Sequence, residues 1–473
     1  MPETDKSLEV DKVRELQRKL YVCAKRSKTR RFHALYDRIY RSDVLWKAWH
    51  RVRSNKGAAG VDEVTLRFIE EQGAAQFLEG IQADLKAGRY RPSPVRRQYI
   101  DKGDGKPRPL GIPTVRDRVV QMATKDPEGT PIEPIFEADF EPSSYGFRPK
   151  KSATQALEAI RVAGNQGHNF VVDADIQSYF DSIPQTTLME LVKERISDRR
   201  VQKLIRQWLA AGVMEDGTVR ETLAGTPQGG VVSPLLANVY LNKLDRIWAT
   251  RCSPLGRLIR YADDYVVMCR TESQAREALR RIGLVMDRLG LKLHPEKTRL
   301  VDLRRGRESF VFLGCTIRKK RSIQRNPRAY YMQRWPSPRA MKRIRHRVHE
   351  LTDARQSGKD VKRIIAELNP VLRGWGNYFR TGNAERKFNQ LDSYVFTRLA
   401  HWMLRRGGQR VARVEKWSRE RFFGMGLYQL RGTVCYPAQA TLRRSSLSRV
   451  QENCTHGLKG DSWKRTDAES APR

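Results

Sequence analysis

Apolar runs that end in acidic residues are the most distinctive pattern along this chain. Apolar segments flank a Tyr-Ala-Asp-Asp sequence at residues 261–264, which predicts two strands joined by a tight turn that carries both acids. Another apolar run, residues 170–172, leads into Asp173 and Asp175 and predicts a further strand. The pattern therefore predicts carboxylates at the ends of neighbouring strands.

The segments on either side have their own periodicities. Residues 99–113 predict a hairpin with a Gly/Asp turn between basic strands. Two prolines and a glycine within residues 126–131 predict a helix break. Beyond the strands, apolar residues recur at helical spacing and predict a helical bundle running to about residue 420; these are Ile364, Leu368, Leu372, Trp375, Leu391, Val395 and Leu399.

The acidic residues indicate a candidate metal site. Adjacent like charges repel, so Asp263 and Asp264 are costly side by side unless cations bind there. A solvated Asp-Asp turn is the simpler interpretation of that pair taken alone. Carboxylates on two strands would suit phosphoryl transfer with two divalent ions roughly 3.5–4 Å apart. Strand alternation places Asp173 and Asp175 on one face, and with Asp181 also nearby the spacing alone does not choose the ligands.

These motifs resemble a known family. Asp175-Ile-x-x-Tyr-Phe-Asp followed by Tyr-Ala-Asp-Asp resembles the palm of a reverse transcriptase, and residues 225–238 resemble a block of group II intron reverse transcriptases. The resemblance implies that Asp175, Asp263 and Asp264 are the catalytic, metal-binding residues, with two Mg²⁺ ions and dNTP substrates. The glycines of residues 225–238 would let backbone approach the nucleotide and template.

The same resemblance implies a nucleotide site. Gln228 matches a position that contacts the nucleotide and primer end, and Phe180 matches the steric gate that would crowd a ribose 2′-OH; an ordinary core aromatic is the alternative for Phe180. Lys102 and Arg108 are the best matches to the basic residues that grip the triphosphate, where their charges would offset the anionic phosphates. Solvated strand charges are the alternative for these two residues.

The predicted fold is α+β, a right-hand polymerase with fingers and palm made of antiparallel sheet and helices, followed by an α-helical thumb. We predict an N-terminal extension at residues 1–54 and fingers and palm at 55–317. A thumb or maturase (X) domain would span 318–420, because residues 374–379 resemble that domain. Residues 421–473 would form a short basic tail, with at most a small DNA-binding region. About three domains suit a chain of 473 residues.

Charge points to a polyanionic partner. The formal net charge is +38, which is typical of a protein that binds nucleic acid. Twelve Lys and Arg residues lie between Arg318 and Glu350, against one acid, although a run of charge is also common on a solvated face. The candidate RNA-binding residues are Arg318, Lys319, Lys320, Arg321, Lys342, Arg343, Arg345 and Trp375, the last also being a natural core residue.

Other features exclude some classes of protein. Six scattered cysteines predict no disulfide framework and a reducing compartment. The tail has no CxxC pair, so we expect no His-Asn-His endonuclease domain. Since no stretch approaches about 20 consecutive apolar residues, we expect no membrane partner and a cytoplasmic bacterial protein associated with nucleoid or ribonucleoprotein.

The sequence predicts an RNA-directed DNA polymerase encoded by a group II intron, which also acts as a maturase. Its expected partners are the parent intron RNA, an RNA template and a DNA primer or target; the sequence leaves its oligomeric state open. One alternative is a catalytically impaired maturase that only binds RNA, favoured by the departure from the family pattern at residues 126–131. Another is a domesticated reverse transcriptase of a different bacterial system, against which the motif at residues 374–379 argues.

Overall fold

The protein divides into two compact units between Gln333 and Arg334. The computed structural model describes residues 3–101, 107–125, 132–215, 218–220, 225–226, 229–322, 328–356, 358–406 and 417–436. Side chains are described within these ranges except at residues 3–13, 101, 108, 405 and 406. Each unit is considered by itself below.

α-Helices account for about half of the described residues of the first unit. They are α1 (Glu3–Arg26), α2 (Tyr36–Ile39), α3 (Ser42–Ser54), α4 (Leu66–Gln72), α5 (Ala74–Lys86), α6 (Val115–Lys125), α7 (Glu133–Glu137), α8 (Ala153–Asn165), α9 (Tyr179–Ser182), α10 (Gln185–Lys193), α11 (Arg199–Ala210), α12 (Ser233–Ile247) and α13 (Glu272–Arg288). Several begin at side chains that accept a backbone N–H, as expected for Ser, Thr and Asp. Ser152 and Thr271 each form a complete capping box with a Gln three residues later.

A four-stranded antiparallel sheet forms the centre of the first unit. Its strands are β3 (Phe170–Ala174), β6 (Arg257–Tyr261), β7 (Asp264–Cys269) and β8 (Arg299–Asp302), in the order β6-β7-β3-β8. Helix α13 packs on β3 and β7, and α8 packs on β6. The apolar residues of β3 and β7 are buried, so the sheet is fixed by its core while its acidic strand ends stay near solvent.

The two paired strands of the basic hairpin predicted for residues 99–113 are present, and the predicted Gly/Asp turn lies outside the described residues. Strand β1 (Val95–Asp101) pairs antiparallel with β2 (Pro107–Ile112). Two short strands, β4 (Val213–Glu215) and β5 (Thr218–Arg220), extend the sheet in the order β2-β1-β4-β5. Next along the chain, α6 ends at Lys125 and α7 begins at Glu133. The predicted helix break at residues 126–131 itself lies outside the described residues.

A three-stranded sheet follows the palm. It consists of β9 (Phe310–Phe312), β10 (Cys315–Arg321) and β11 (Tyr330–Pro336), in the order β11-β10-β9. The domain boundary that we expected after residue 317 falls inside β10, whereas the division between the compact units lies at residues 333 and 334. Residues 318–321 continue a strand because β10 alternates buried and exposed side chains along most of its length.

The described part of the second unit is mainly helical. Its helices are α14 (Pro338–Leu351), α15 (Val361–Phe379), α16 (Glu385–Arg406) and α17 (Arg419–Gly424). The apolar residues that recur at helical spacing are buried, among them Ile364, Leu368, Leu391 and Leu399, except for Trp375, which is half-buried. Within the ranges that the structure describes, no helix is both long and apolar enough to cross a membrane.

Candidate active site

The two adjacent acids sit at a hairpin turn, as the sequence predicted. Tyr261 pairs with Asp264 across β6 and β7, so Ala262 and Asp263 form the connection. Ala262 has a φ of +57°, a left-handed conformation that is uncommon for residues other than glycine. Gly146 lies against this turn, because a Cβ built on it would be 2.2 Å from the Ala262 nitrogen. The backbone of Gly146 therefore packs closely against the turn.

The third acid approaches the same sheet edge from the neighbouring strand. Ala174 of β3 pairs with Tyr265 of β7, so Asp175 and Asp264 are the next residues on two antiparallel strands. The Asp175 carbonyl accepts a hydrogen bond from the His294 amide at 2.8 Å. Asp175, Asp263 and Asp264 thus occupy one end of the sheet, which is the arrangement that the sequence pattern predicted.

The electrostatics of this edge reflect crowded negative charge. Burial of the carboxyl group, followed by the charges of Asp263, Asp175 and Asp173, raises the pKa of Asp264 to about 6. Lys297 Nζ lies 2.7 Å from Asp175 Oδ2 and counters part of that charge. The charges of the neighbouring acids therefore add to the effect of burial on Asp264, and Lys297 opposes them.

The competing acids have different surroundings. Asp173 pairs with Arg299, whose Nε lies 3.2 Å from Asp173 Oδ2. Burial raises the pKa of Asp173, and the hydrogen bond from Arg299 opposes that rise. Asp181 is exposed on α9. Asp175 is thus the acid of this region whose position continues β3 directly opposite Asp264.

The glycine-containing block at residues 225–238 joins the palm to the basic hairpin. The Thr226 amide donates to the Phe180 carbonyl at 2.7 Å, and a Cβ on Gly225 would lie 2.8 Å from the Asp181 Cα. A Cβ on Gly229 would lie 2.3 Å from the Gly111 carbonyl oxygen of β2. These close approaches are to the protein's own backbone and leave no room for a side chain at either position; approach to a nucleotide or template stays a prediction. Both glycines also have positive φ, +88° and +116°.

The structure describes only some of the predicted nucleotide-site residues. Phe180 is buried, and its ring meets that of Tyr179 edge-on with centroids 5.5 Å apart. Arg108 lies on β2 opposite Ile100, and only its backbone is described. Lys102 and Gln228 lie outside the described residues.

A buried ion pair next to the acidic turn was not predicted from the sequence. The side chains of Arg260 on β6 and Asp245 on α12 are both 0% exposed and form an ion pair. The signal available in the sequence was an arginine inside an otherwise apolar strand. Lys297 was also missed, since a single lysine in a polar segment carries no distinctive pattern.

The basic residues of β10 are not uniformly exposed. Lys319 is buried, and this burial lowers the pKa of its ammonium group. The guanidinium of Arg318 donates to the Gly306 carbonyl at 2.8 and 2.6 Å. Lys320 and Arg321 are exposed. The expectation that all four side chains form an RNA-binding surface is corrected for Lys319, which strand alternation turns inward.

In the second unit, a cavity of about 480 Å³ lies between α14 and α16. Lys342, Arg345, His346 and His349 line it from α14, and their spacing of three and four residues forms one stripe along a helix. Lys387 and Tyr394 line it from α16. We call this cavity the α14–α16 groove.

Two predicted RNA contacts lie outside that groove. Arg343 is exposed on α14 but falls outside the stripe. The ring of Trp375 packs against Phe379 and Phe388, with centroid distances of 4.8 and 5.6 Å. The contacts of Trp375 are therefore those of a core aromatic between α15 and α16.

The donor set at the acidic edge suits a hard divalent cation. Carboxylate oxygens are the ligands that Mg²⁺ prefers, and a cation would offset the repulsion that raises the pKa of Asp264. In the described parts of the chain, no three His, Cys, Asp or Glu side chains are grouped closely enough to hold a metal ion. Asp175 is instead paired with Lys297.

Each of the two units contains a segment that matches a known protein family. Residues 100–317 match the family described as reverse transcriptase (RNA-dependent DNA polymerase). Residues 341–422 match the group II intron maturase-specific domain. Protein YkfC of Escherichia coli K12 is 34% identical over 348 residues, covering 66% of this chain and 89% of that protein.

Further relatives match over smaller shares of their length. The group II intron-encoded protein LtrA of Lactococcus lactis subsp. cremoris is 40% identical over 219 residues, 46% of this chain and 35% of LtrA. The chain thus matches about a third of the length of LtrA. A telomerase structure from Candida albicans has 12% identity and a TM-score of 0.39, covering 72% of this chain and 64% of that one.

The acidic hairpin turn, the neighbouring acidic strand and the two matched domains define a reverse transcriptase with a maturase domain. The chain belongs to the family of group II intron-encoded reverse transcriptase/maturase proteins.

Proposed function

We propose that this protein synthesises DNA on an RNA template at Asp175, Asp263 and Asp264, and that its second unit binds the parent intron RNA. The observation that carries the first part is the register of the palm sheet, in which Asp175 and Asp264 end adjacent strands beside Asp263. The family membership supports the same activity. The first unit, which carries the three acids, would bind the template, the primer end and the target DNA.

The three carboxylates would hold two Mg²⁺ ions. When bound, such ions supply charge stabilisation for nucleotidyl transfer from a dNTP. Release of Asp175 from Lys297 is the rearrangement that this binding requires, since the two side chains are paired at 2.7 Å. Without a cation the pKa of Asp264 is raised to about 6, and a bound cation would favour its ionised form.

Surrounding residues would shape the nucleotide pocket. The Phe180 carbonyl accepts a hydrogen bond from the Thr226 amide, so this residue adjoins the glycine block; its role as the gate against a ribose 2′-OH is what the family resemblance implies. Gly229 lies against β2, the strand that carries Arg108, so the glycine block and the basic hairpin adjoin. Lys102 and Arg108 would bind the triphosphate, and Gln228 the nucleotide and primer end, as the family resemblance implies.

Intron RNA would bind to basic surface in the second unit and near β10. The α14–α16 groove supports this because it combines Lys342, Arg345 and Lys387 with an aromatic ring, Tyr394. Phosphates attract such side chains, and bases stack on aromatic and guanidinium planes. Arg318, Lys320, Arg321 and Arg343 are additional candidates, whereas Lys319 and Trp375 are left out because of their packing.

Primer extension on an RNA template tests the proposal. Wild-type protein should extend the primer with Mg²⁺ and dNTPs, and Asp263→Ala should lose on the order of 10³-fold or more of that activity because a metal ligand is gone. Asp181→Ala, which removes an exposed nearby acid, should retain activity. Affinity for intron RNA should be unchanged in Asp263→Ala, because basic surface elsewhere provides it.

The outcomes separate this function from the RNA-binding alternative. If a folded wild-type protein binds intron RNA but extends no primer, the protein is a maturase without polymerase activity. Equal loss of extension and of RNA affinity in Asp263→Ala would contradict the separation of the two sites.

A further inference from the structure

A buried ion pair lies directly beneath the acidic turn. Arg260 donates through Nε to Asp245 Oδ1 at 2.9 Å and to Oδ2 at 3.1 Å, and its Nη2 also contacts Oδ2. Both side chains are 0% exposed. Arg260 is one residue before Tyr261 on β6, while Asp245 is on α12. The pair therefore ties the strand that enters the turn to a helix.

The same guanidinium reaches the turn itself. Nη1 of Arg260 donates to the Ala262 carbonyl at 2.8 Å and to Asn238 Oδ1 at 3.0 Å. Asn238, also buried on α12, donates through Nδ2 to the Gly146 carbonyl at 2.8 Å. Gly146 is the residue whose backbone abuts Ala262. A closed set of contacts thus surrounds the left-handed residue that precedes Asp263.

Helix α12 connects this set to the glycine block. The helix begins at Ser233, just after Gly229 and Gly230. The side-chain oxygen of Gln121 accepts from the amides of Val231 and Val232 at 2.8 and 3.4 Å, which fixes the start of the helix. Arg260 therefore joins the acidic turn to the helix that follows the glycines of the glycine block.

Stability alone does not account for this arrangement. Burying two charges costs desolvation that their attraction often only balances, and apolar replacements of such pairs are frequently as stable. A guanidinium offers a planar, rigid set of donors that fixes several acceptors at once. The guanidinium of Arg260 is therefore better explained by a need to hold its acceptors in place than by a gain in stability.

We propose that Arg260 is a positioning residue for polymerisation. Its guanidinium fixes the Ala262 carbonyl relative to α12. It thereby sets where Asp263 and Asp264 lie with respect to the glycine block. This inference rests on the proposed function, in which those two acids bind the metal ions.

Arg260→Lys tests the proposal because lysine keeps the charge but lacks the planar fork of donors. Single-nucleotide addition to a primer annealed to RNA should fall in maximal rate by about 10- to 100-fold, as expected for a small misplacement of reacting groups. The affinity for template–primer should change by less than about twofold, since the acidic turn does not provide that binding.

Arg195→Lys is the matched control. Arg195 is also buried, lies 3.1 Å from Asp139 in an ion pair and donates to backbone carbonyls, among them that of Ala24 at 3.0 Å, and none of these partners belongs to the acidic turn. It should lose thermal stability without losing the rate of nucleotide addition. If both lysine variants lose rate in proportion to thermal stability, Arg260 is a structural residue and the proposal is overturned.

A double variant separates stability from position. Arg260→Met alone leaves Asp245 buried without its cation and should be strongly destabilised. Adding Asp245→Leu removes that charge, so thermal stability should recover while the rate stays low, because Ala262 still lacks its donor. Recovery of the rate together with stability would overturn the proposal.

The assay also separates this inference from the proposed function. An inactive wild-type protein, or an active Asp263→Ala, would reject the proposed function itself. An active wild type, an inactive Asp263→Ala and an Arg260→Lys variant at the wild-type rate would reject only the role of Arg260.

Discussion

The ammonium group of Lys297 lies 2.7 Å from the carboxylate of Asp175, where a divalent cation would compete for the same oxygen. Lys297 is 60% exposed, so water screens this pair and it contributes little to stability. Its main effect is on the charge of the acidic cluster, since it lowers the pKa of Asp264 against the rise caused by the neighbouring acids. Metal binding and this ion pair should therefore oppose one another.

Lys297→Met should bind Mg²⁺ more tightly than the wild type. Removing a positive charge next to the ligands takes away a repulsion of about 1 kcal/mol in water, which corresponds to an increase in affinity of about two- to fivefold. The Mg²⁺ dependence of the thermal unfolding midpoint measures this. Lys359→Met is the control, because Lys359 pairs with Glu367 at the same 2.7 Å in the second unit. A variant that needs more Mg²⁺ than wild type would contradict the competition.

Asp264→Asn should stabilise the metal-free protein at neutral pH while abolishing DNA synthesis. The folded-state pKa of about 6 exceeds the ordinary value of 3.8, so the contribution of Asp264 to stability is full below 3.8 and is lost as pH rises through about 6. The asparagine variant escapes that loss. Neighbouring atoms desolvate the carboxyl group, but the residue still reaches solvent and water screens its charge, so we expect a gain of about 1 kcal/mol or less.

The measurement is the free energy of unfolding in EDTA between pH 4 and pH 8. The advantage of Asp264→Asn should shrink as the pH falls below about 6. Asp302→Asn is a control of opposite sign, because a hydrogen bond from Arg304 lowers the pKa of Asp302. That variant should lose stability at neutral pH, and the loss should vanish in acid. An Asp264→Asn protein less stable than wild type at pH 8 would refute the charge argument.

The palm strands and the acidic turn could be predicted from sequence because their determinants are local, whereas the choice of Asp175 over Asp173 and Asp181 came from the family resemblance. Short apolar runs marked β6 and β7, and the acids between them marked the turn. Arg260 and Asp245 could not be paired in this way, since they lie on different elements and an arginine is rarely buried. Lys319 was misjudged for a different reason: alternation along β10 from Cys315 and Ile317 turns it inward, but the four basic residues were interpreted together as one surface.

Phe180→Val should relax the selection of deoxyribonucleotides. If the ring crowds a ribose 2′-OH, shortening it should raise the use of rNTPs relative to dNTPs by roughly tenfold or more, equivalent to about 1.4 kcal/mol of lost discrimination. Competitive single-nucleotide addition on an RNA template measures the ratio. Tyr179→Phe, which removes the hydroxyl that donates to the Ala237 carbonyl at 2.6 Å, should cost about 1 kcal/mol of stability and leave the ratio unchanged.

The two interpretations of Phe180 give different results. A core aromatic alone would make Phe180→Val less stable by about 1–3 kcal/mol with no change in sugar selection. A change in the ratio at whatever stability remains would identify the ring as part of the nucleotide pocket. An unchanged ratio would assign Phe180 to the core.

The α14–α16 groove should account for part of the salt dependence of intron RNA binding. Lys342 and Arg345 lie three residues apart on the stripe of α14 that lines the groove, and Arg345 also lies over the Tyr394 ring at 5.7 Å. Replacing both by alanine should weaken RNA binding and reduce the slope of log K against log salt by about 0.7–0.9 for each phosphate that the protein no longer neutralises.

Equilibrium binding at several salt concentrations measures that slope. Arg363→Ala is the control, since Arg363 is 71% exposed on α15 and pairs with Glu367 outside the groove. It removes one positive charge from the same unit, so it should shift affinity slightly through the overall field but leave the slope nearly unchanged. If it lowers the slope as much per charge as Lys342→Ala with Arg345→Ala, the RNA responds to net charge and the groove is not a binding site.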